Sequence, residues 1–194
     1  MKNVSSNPMR NHQPLIRQMI FMSQNEAQRS QRIAEYRSRI DTAKGYSEVW
    51  EIVKDSVKDS LGEQRGPMML FLADLPMQLG AYHALGTNNI VLNRALVQVV
   101  EAATKSEKLV NAFVYSLLLH EYLHALGHVP EGEARSLVYE VSRSCFGEDH
   151  VTTELAKKSP WALLRGLPLG RLEAPRRVVE IVKDFEKSTQ RYIV

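Results

Sequence analysis

The chain has 194 residues, 44% hydrophobic and 24% charged, and its 25 basic against 22 acidic residues leave a net charge of +3. These figures exclude a wholly disordered chain and a collagen-like repeat, and a single cysteine, Cys145, excludes a disulfide scaffold. The apolar stretch Phe113 to Leu119 falls far short of the roughly 18 residues a membrane span requires, and Met1 to Gln13 has no apolar signal-peptide core. The expectation is a cytoplasmic protein of one core with no membrane partner, and +3 is too mild a charge to imply nucleic acid.

In chain order, residues 1 to about 23 read as a polar arm with at most one helical turn. Gln24 to Lys44 reads as a solvated helix whose narrow apolar stripe is Ile33, Tyr36 and Ile40. Ser47 is a plausible N-cap for a second helix with the apolar face Val49, Trp50, Ile52, Val53, Val57 and Leu61, stopped by Gly62. Met68 to Leu72 reads as a buried strand, and Gly80–Ala84 and Asn89–Asn93 as two more, separated by the turn composition Gly86-Thr87-Asn88.

Helical periodicity returns after Asn93 through Ala95, Leu96, Val99, Val100 and Ala103. Thr104 with Glu107 has the form of a capping box opening a helix from about Ser106 to Gly127. Further helices are expected from about Glu131 to Cys145 and from Val151 to Lys158. A loop-rich connector follows around Gly166, Pro168 and Gly170. Pro175 starts a last helix with the face Val178, Val179, Ile181, Val182 and Phe185. The fold class is α+β: about three strands, a backing helix and a central helix, with helical extensions at both ends. The divisions are 1–46 (arm and helix), 47–146 (central α+β domain) and 147–194 (C-terminal extension).

One stretch carries chemistry: His120-Glu121-Tyr122-Leu123-His124-Ala125-Leu126-Gly127-His128. Two His four apart share a helix face, so both imidazoles can reach one metal ion at about 2.0–2.1 Å. Glu121 then stands where an activated water would sit, able to take its proton and pass it to a leaving amine. This is the HExxH pattern, and its expected cofactor is Zn2+. An isolated His on a helix this rich in Leu would be a packed core residue, but a buried Glu121 without a partner would cost several kcal/mol.

A catalytic zinc needs a third protein ligand, and the candidates are His128, Glu131, Glu133 and Glu140. In a helical hairpin turning at 128–130, residues equidistant from the turn lie side by side. His124 then selects Glu133, while Glu131 comes a little early and Glu140 lies about 10 Å too far along at 1.5 Å per residue. Three ligands in line on one helix approach a tetrahedral site poorly, which counts against His128.

The motif HEYLHALGH, preceded by a strand reading Asn88-Asn89-Ile90-Val91-Leu92-Asn93, resembles the minigluzincins and related gluzincin metallopeptidases. The resemblance covers about residues 47–146. It implies a zincin-like fold with a backing helix at Ser47–Leu61 and a glutamate helix at Glu131–Cys145. It also implies zinc ligands at His120 and His124, Glu121 as general base, and a third ligand from the next helix. The strand around Tyr82 to Ala84, or Ile90 to Asn93, would be the edge that binds an extended peptide or protein substrate. Pro130 occupies the place of the third His of the metzincins and of the YbeY-type ribonucleases. The latter also lack a Glu between the paired His, so Glu121 favours peptide hydrolysis over RNA cleavage.

The competing reading is a non-catalytic or latent zinc-binding protein on the same scaffold. There a fourth ligand such as His128 closes the site, or a terminal segment covers it. Tyr82, His83 or Tyr139 could polarise a substrate carbonyl, although such residues are more often packed or hydrogen-bonded. Cys145 reads as a buried reduced thiol, and His12 and His150 as solvated. Arg165, Arg171, Arg176 and Arg177 alternate with acidic residues and read as a solvated face.

Overall fold

The computed structural model describes residues 13–165 and 179–186. Its centre is the helix that the sequence marks as apolar on every side, Glu107–Leu126, labelled α4. From Asn111 to Leu119 every side chain is buried. A helix apolar all round must be covered all round. Around it stand α1 (Gln13–Thr42), α2 (Gly45–Leu61), α3 (Arg94–Thr104), α5 (Glu131–Phe146) and α6 (Val151–Lys158), each in contact with α4.

Strands β1 (Met69–Ala73), β2 (Ala81–His83), β3 (Asn89–Asn93) and β4 (Glu180–Ile181) form one mixed sheet in the order β2-β3-β1-β4. β3 runs parallel to β1, while β2 and β4 run antiparallel to their neighbours. β2 and β3 lie against α4. Gly80 permits that approach, since a Cβ there would sit 2.7 Å from Leu117 Cδ2. The buried Asn93 ties the strands to the following helix. Its Oδ1 caps α3 by accepting from Ala95 N–H at 3.1 Å, and its Nδ2 donates to the carbonyls of Leu75, Pro76 and Leu79. The α+β class and the three expected strands are present, and the sheet has a fourth.

That fourth strand corrects the C-terminal expectation. Glu180–Ile181 is a strand, followed by a turn at 183–184, where a helical face of Val179, Ile181, Val182 and Phe185 was expected; Pro175 and Val178 lie outside the described residues. The β-branched run suits a strand. Pairing with β1 is sealed by Val182 N–H on Leu70 O at 2.9 Å and by Phe185 stacked on Trp50 at 4.8 Å. Glu186 accepts from Trp50 Nε1 at 3.0 Å and pairs with Lys54.

At the other end, α1 begins at Gln13 rather than Gln24, a single helix of 30 residues. Only its second half packs, through Ile33, Tyr36 and Ile40 as expected. Two caps also differ. α2 starts at Gly45 and its Glu48 carboxylate accepts from Lys44 N–H at 2.8 Å, while the Ser47 hydroxyl donates to Asp184 O. Ser106, not Thr104, caps α4 by accepting from Leu109 N–H, and Thr104 accepts from Ser106 N–H. The residues of the expected connector at 166–170, with Arg171, Arg176 and Arg177, lie outside the described residues. Among the described residues no helix is long and apolar enough to cross a membrane.

Candidate metal centre

The C-terminal turns of α4 carry the HExxH residues, and the packing of Tyr122 and Leu123 into the core fixes the direction of their neighbours. His120 Nε2 and His124 Nε2 face the same space and stand 3.1 Å apart. Glu131, the first residue of α5, brings its carboxylate to both, with Oε1 3.2 Å from His124 Nε2 and Oε2 3.4 Å from His120 Nε2. Donor atoms bound to one ion at about 2.0–2.1 Å in a tetrahedron lie about 3.3 Å from one another. The His120–His124 separation is near that edge length, and the two Glu131 oxygens each lie near it from one of the two rings, so one ligand atom from each residue lies within 4.8 Å of the others.

The route that brings Glu131 there is short. Gly127 ends α4 at φ 110, and His128 N–H bonds back to Leu123 O at 3.0 Å. This turn swings the His128 carbonyl over His124, whose Nδ1–H donates to it at 2.8 Å. With Nδ1 engaged by that carbonyl, Nε2 is the nitrogen turned to the cluster, the usual support for a metal-binding imidazole. Burial, followed by the neighbouring His124, lowers the pKa of His120, which favours the neutral form of that ring. Two imidazoles and one carboxylate, with no fourth protein donor among the described residues, fit an open zinc site.

Glu133, the expected third ligand, is not brought to this cluster. Only four residues separate α4 from α5, so the first residue of the new helix returns to the level of the histidines, two residues sooner than the symmetric hairpin assumed. Glu133 instead accepts from His128 Nδ1–H at 2.8 Å, while His128 Nε2 faces the Glu63 carboxylate at 3.1 Å. Glu133, and then Glu63, raise the pKa of His128 against its partial burial. His128, the possible fourth ligand, is thus held as a cation between two carboxylates. Glu140 is exposed on α5, nine residues or about 13 Å beyond Glu131.

Glu121 is 6% exposed and sits next to the cluster. Burial pushes its carboxyl up to about 7, against the opposing pull of His124 and the hydrogen bond from the His83 backbone N–H. A cation held by the histidines would oppose that rise further. A carboxyl balanced near neutrality can both accept and return a proton.

The other side chains singled out in the sequence have plainer partners. Tyr139 donates to Glu148 at 3.1 Å, the His83 ring bonds Asn89 O at 3.0 Å, and Tyr82 is 40% exposed on β2. Cys145 is buried as expected, against Ser60 at 3.4 Å. His150 is not solvated. It is buried and caps α6, its Nδ1 accepting from Thr152 N–H at 3.3 Å and its Nε2–H donating to Asp41 at 3.1 Å. His12 lies outside the described residues.

One supporting residue had no signal in the sequence. Arg65 donates to Ala125 O at the end of α4, and at 3.0 Å each to Thr87 O and Asn88 Oδ1. Its backbone carbonyl accepts from the Tyr122 hydroxyl at 2.7 Å. This staple joins the HExxH helix to the β2–β3 turn, yet in the sequence Arg65 is one cation in a polar loop.

Comparison with protein-family models, curated proteins and solved structures finds no match.

Proposed function

We propose that this chain is a zinc-dependent metallopeptidase of the zincin type, close in plan to the gluzincins. His120, His124 and Glu131 are its metal ligands, and Glu121 is its general base. The observation that carries the reading is the convergence of His120 Nε2, His124 Nε2 and the Glu131 carboxylate at 3.1–3.4 Å from one another. Zinc in that cluster supplies Lewis acidity and makes water acidic enough to lose a proton near neutral pH.

The chain's own residues do the rest. Glu121, raised in pKa by burial, accepts a proton from the attacking water on its carboxylate. It then delivers that proton to the nitrogen of the scissile amide, so that an amine leaves. Substrate binding follows from the sheet. Asn93 N–H bonds Gly80 O at 2.8 Å, and antiparallel pairs alternate between bonded and non-bonded. In the register Ala81↔Leu92, Tyr82↔Val91, His83↔Ile90, the backbone groups of Ala81 and His83 therefore point away from β3. An extended peptide adding there lies beside Glu121. β3 is interior, so of the two strands considered for this role only β2 has a free edge.

The test is Glu121→Gln, with zinc counted per chain and cleavage followed on a peptide library. Retained zinc with cleavage lost is expected. A variant that cleaves like the parent removes Glu121 from the mechanism, and a parent that binds no zinc overturns the reading.

A further inference from the structure

Every described side chain from Arg17 to Arg32 on α1 is exposed, so this half of the helix stands largely clear of the other described elements. Its tip is nevertheless apolar. Met19, Phe21 and Met22 are 70%, 63% and 55% exposed, and six of the eight residues from Leu15 to Met22 are hydrophobic. Below the tip come Arg29 and Arg32, and Arg17 lies within it. Among the described residues none of the three has an ion-pair partner. Residues 1–32 hold five basic residues and one acidic, a charge of +4, whereas the whole chain carries +3, so residues 33–194 carry −1.

We infer that the tip of α1 is a peripheral anchor that dips into the interfacial layer of an anionic lipid bilayer. Two features favour lipid over a protein groove or a second copy. At about 100° per residue Met19 and Phe21 lie about 160° apart around the helix, so one partner face covers only one of them, whereas lipid surrounds both. The apolar stripe through Met19 and Met22 also stops at Glu26 and Arg29, too short for a coiled coil, which needs several heptads. The arginines then sit at headgroup depth, where anionic lipid attracts them.

The anchor has a direction. α1 and α2 run antiparallel in the register Tyr36–Asp59 at 2.8 Å and Arg39–Asp55 at 2.6 Å. Continued by one turn, that register sets Glu63, the partner of His128, level with about residue 32. Met19 to Met22 extend about 15–20 Å beyond that level. The tip thus projects from the end of the domain that carries the histidine pair, and an anchored chain holds its candidate site close to the bilayer surface. The absence of a spanning helix does not bear on a helix that dips only its end.

The experiment is co-sedimentation of the full chain with vesicles of phosphatidylcholine alone and of phosphatidylcholine mixed with phosphatidylserine. The expected result is binding to the mixed vesicles that weakens with added salt. It should fall more than about tenfold in the triple variant Met19→Gln/Phe21→Gln/Met22→Gln, whose sites are exposed. No binding to the mixed vesicles, or equal binding by the triple variant, overturns the proposal. So does lipid-free self-association that the triple variant abolishes while vesicle binding is absent. Circular dichroism and zinc content, both expected to be unchanged, check that the variant is folded.

Discussion

The pair of variants Glu131→Gln and Glu133→Gln separates the two ways of reading the third ligand. Glu131 meets both histidine nitrogens at 3.2 and 3.4 Å, whereas Glu133 meets only His128. A carboxylate about 4 Å from a dication at an effective dielectric near 20 is attracted by about 8 kcal/mol, most of which desolvation offsets. A floor comes from supporting residues outside the ligand set, whose loss typically weakens metal binding about 10–100-fold. Glu131→Gln, which removes a direct donor charge, should therefore lower zinc affinity by at least about 100-fold, or about 2.7 kcal/mol. Glu133→Gln breaks a half-exposed pair worth about 1 kcal/mol or less, and reaches His124 only through the His128 carbonyl. Its zinc affinity should stay within about threefold of the parent. Titration of the zinc-free chain against a chromophoric chelator measures both. The reverse order, with Glu133→Gln losing zinc and Glu131→Gln keeping it, would refute the geometry derived from the Gly127 turn.

Stability should also depend on pH through His150, whose pKa burial lowers and whose Nδ1 must stay unprotonated to cap α6. Below the ordinary value of about 6.5 the unfolded chain binds a proton that the folded chain refuses. Stability is thus complete above about 6.5 and falls as pH drops towards the depressed folded value. His150→Asn, which keeps a cap, should flatten that slope in urea titrations, and parallel slopes for parent and variant would contradict it. Phe185→Ala should cost up to about 3 kcal/mol in urea unfolding, because Phe185 is 3% exposed and stacked on Trp50. Zinc affinity should not change, since β4 lies on the sheet edge opposite β2, and a variant with lost zinc binding would show that the strap supports the site.

What was legible in the sequence followed from local punctuation. Gly62 and Gly127 end helices, Gly86-Thr87-Asn88 turns one strand into the next, and the apolar face of α2 is buried as its spacing implies. The HExxH pair was legible because four residues on a helix is a fixed distance. Glu133 was not separable from Glu131 because their levels depend on the length of the turn, which a single αL residue at Gly127 shortens. Val179 to Val182 satisfied helical and extended patterns equally, and the open side of β1 decided between them through Leu70 and Trp50. The start of α1 was hidden because a helix with no packed face leaves no periodic pattern. His150 looked solvated because its partner, Asp41, is 109 positions away.

The two edges of the sheet bear on whether the chain's own ends cover the site. An exposed edge strand invites further pairing, and chains commonly blunt such edges. Here one edge is closed from within: β4 pairs with β1, and Phe185 and Glu186 lock the strap onto Trp50 and Lys54. The opposite edge, at β2, turns the backbone groups of Ala81 and the His83 carbonyl outward, while the His83 N–H bonds the Glu121 carboxyl. The packed half of α1 makes its polar contacts elsewhere, to Asp59, Lys108, Asn111, Phe146 and Asp149. Among the described residues, then, both terminal extensions brace faces away from the histidine pair. Covering it would require residues outside 13–165 and 179–186. Among the described residues β2 is the sheet edge that no further strand covers, and it is the edge on which the proposed peptide addition depends.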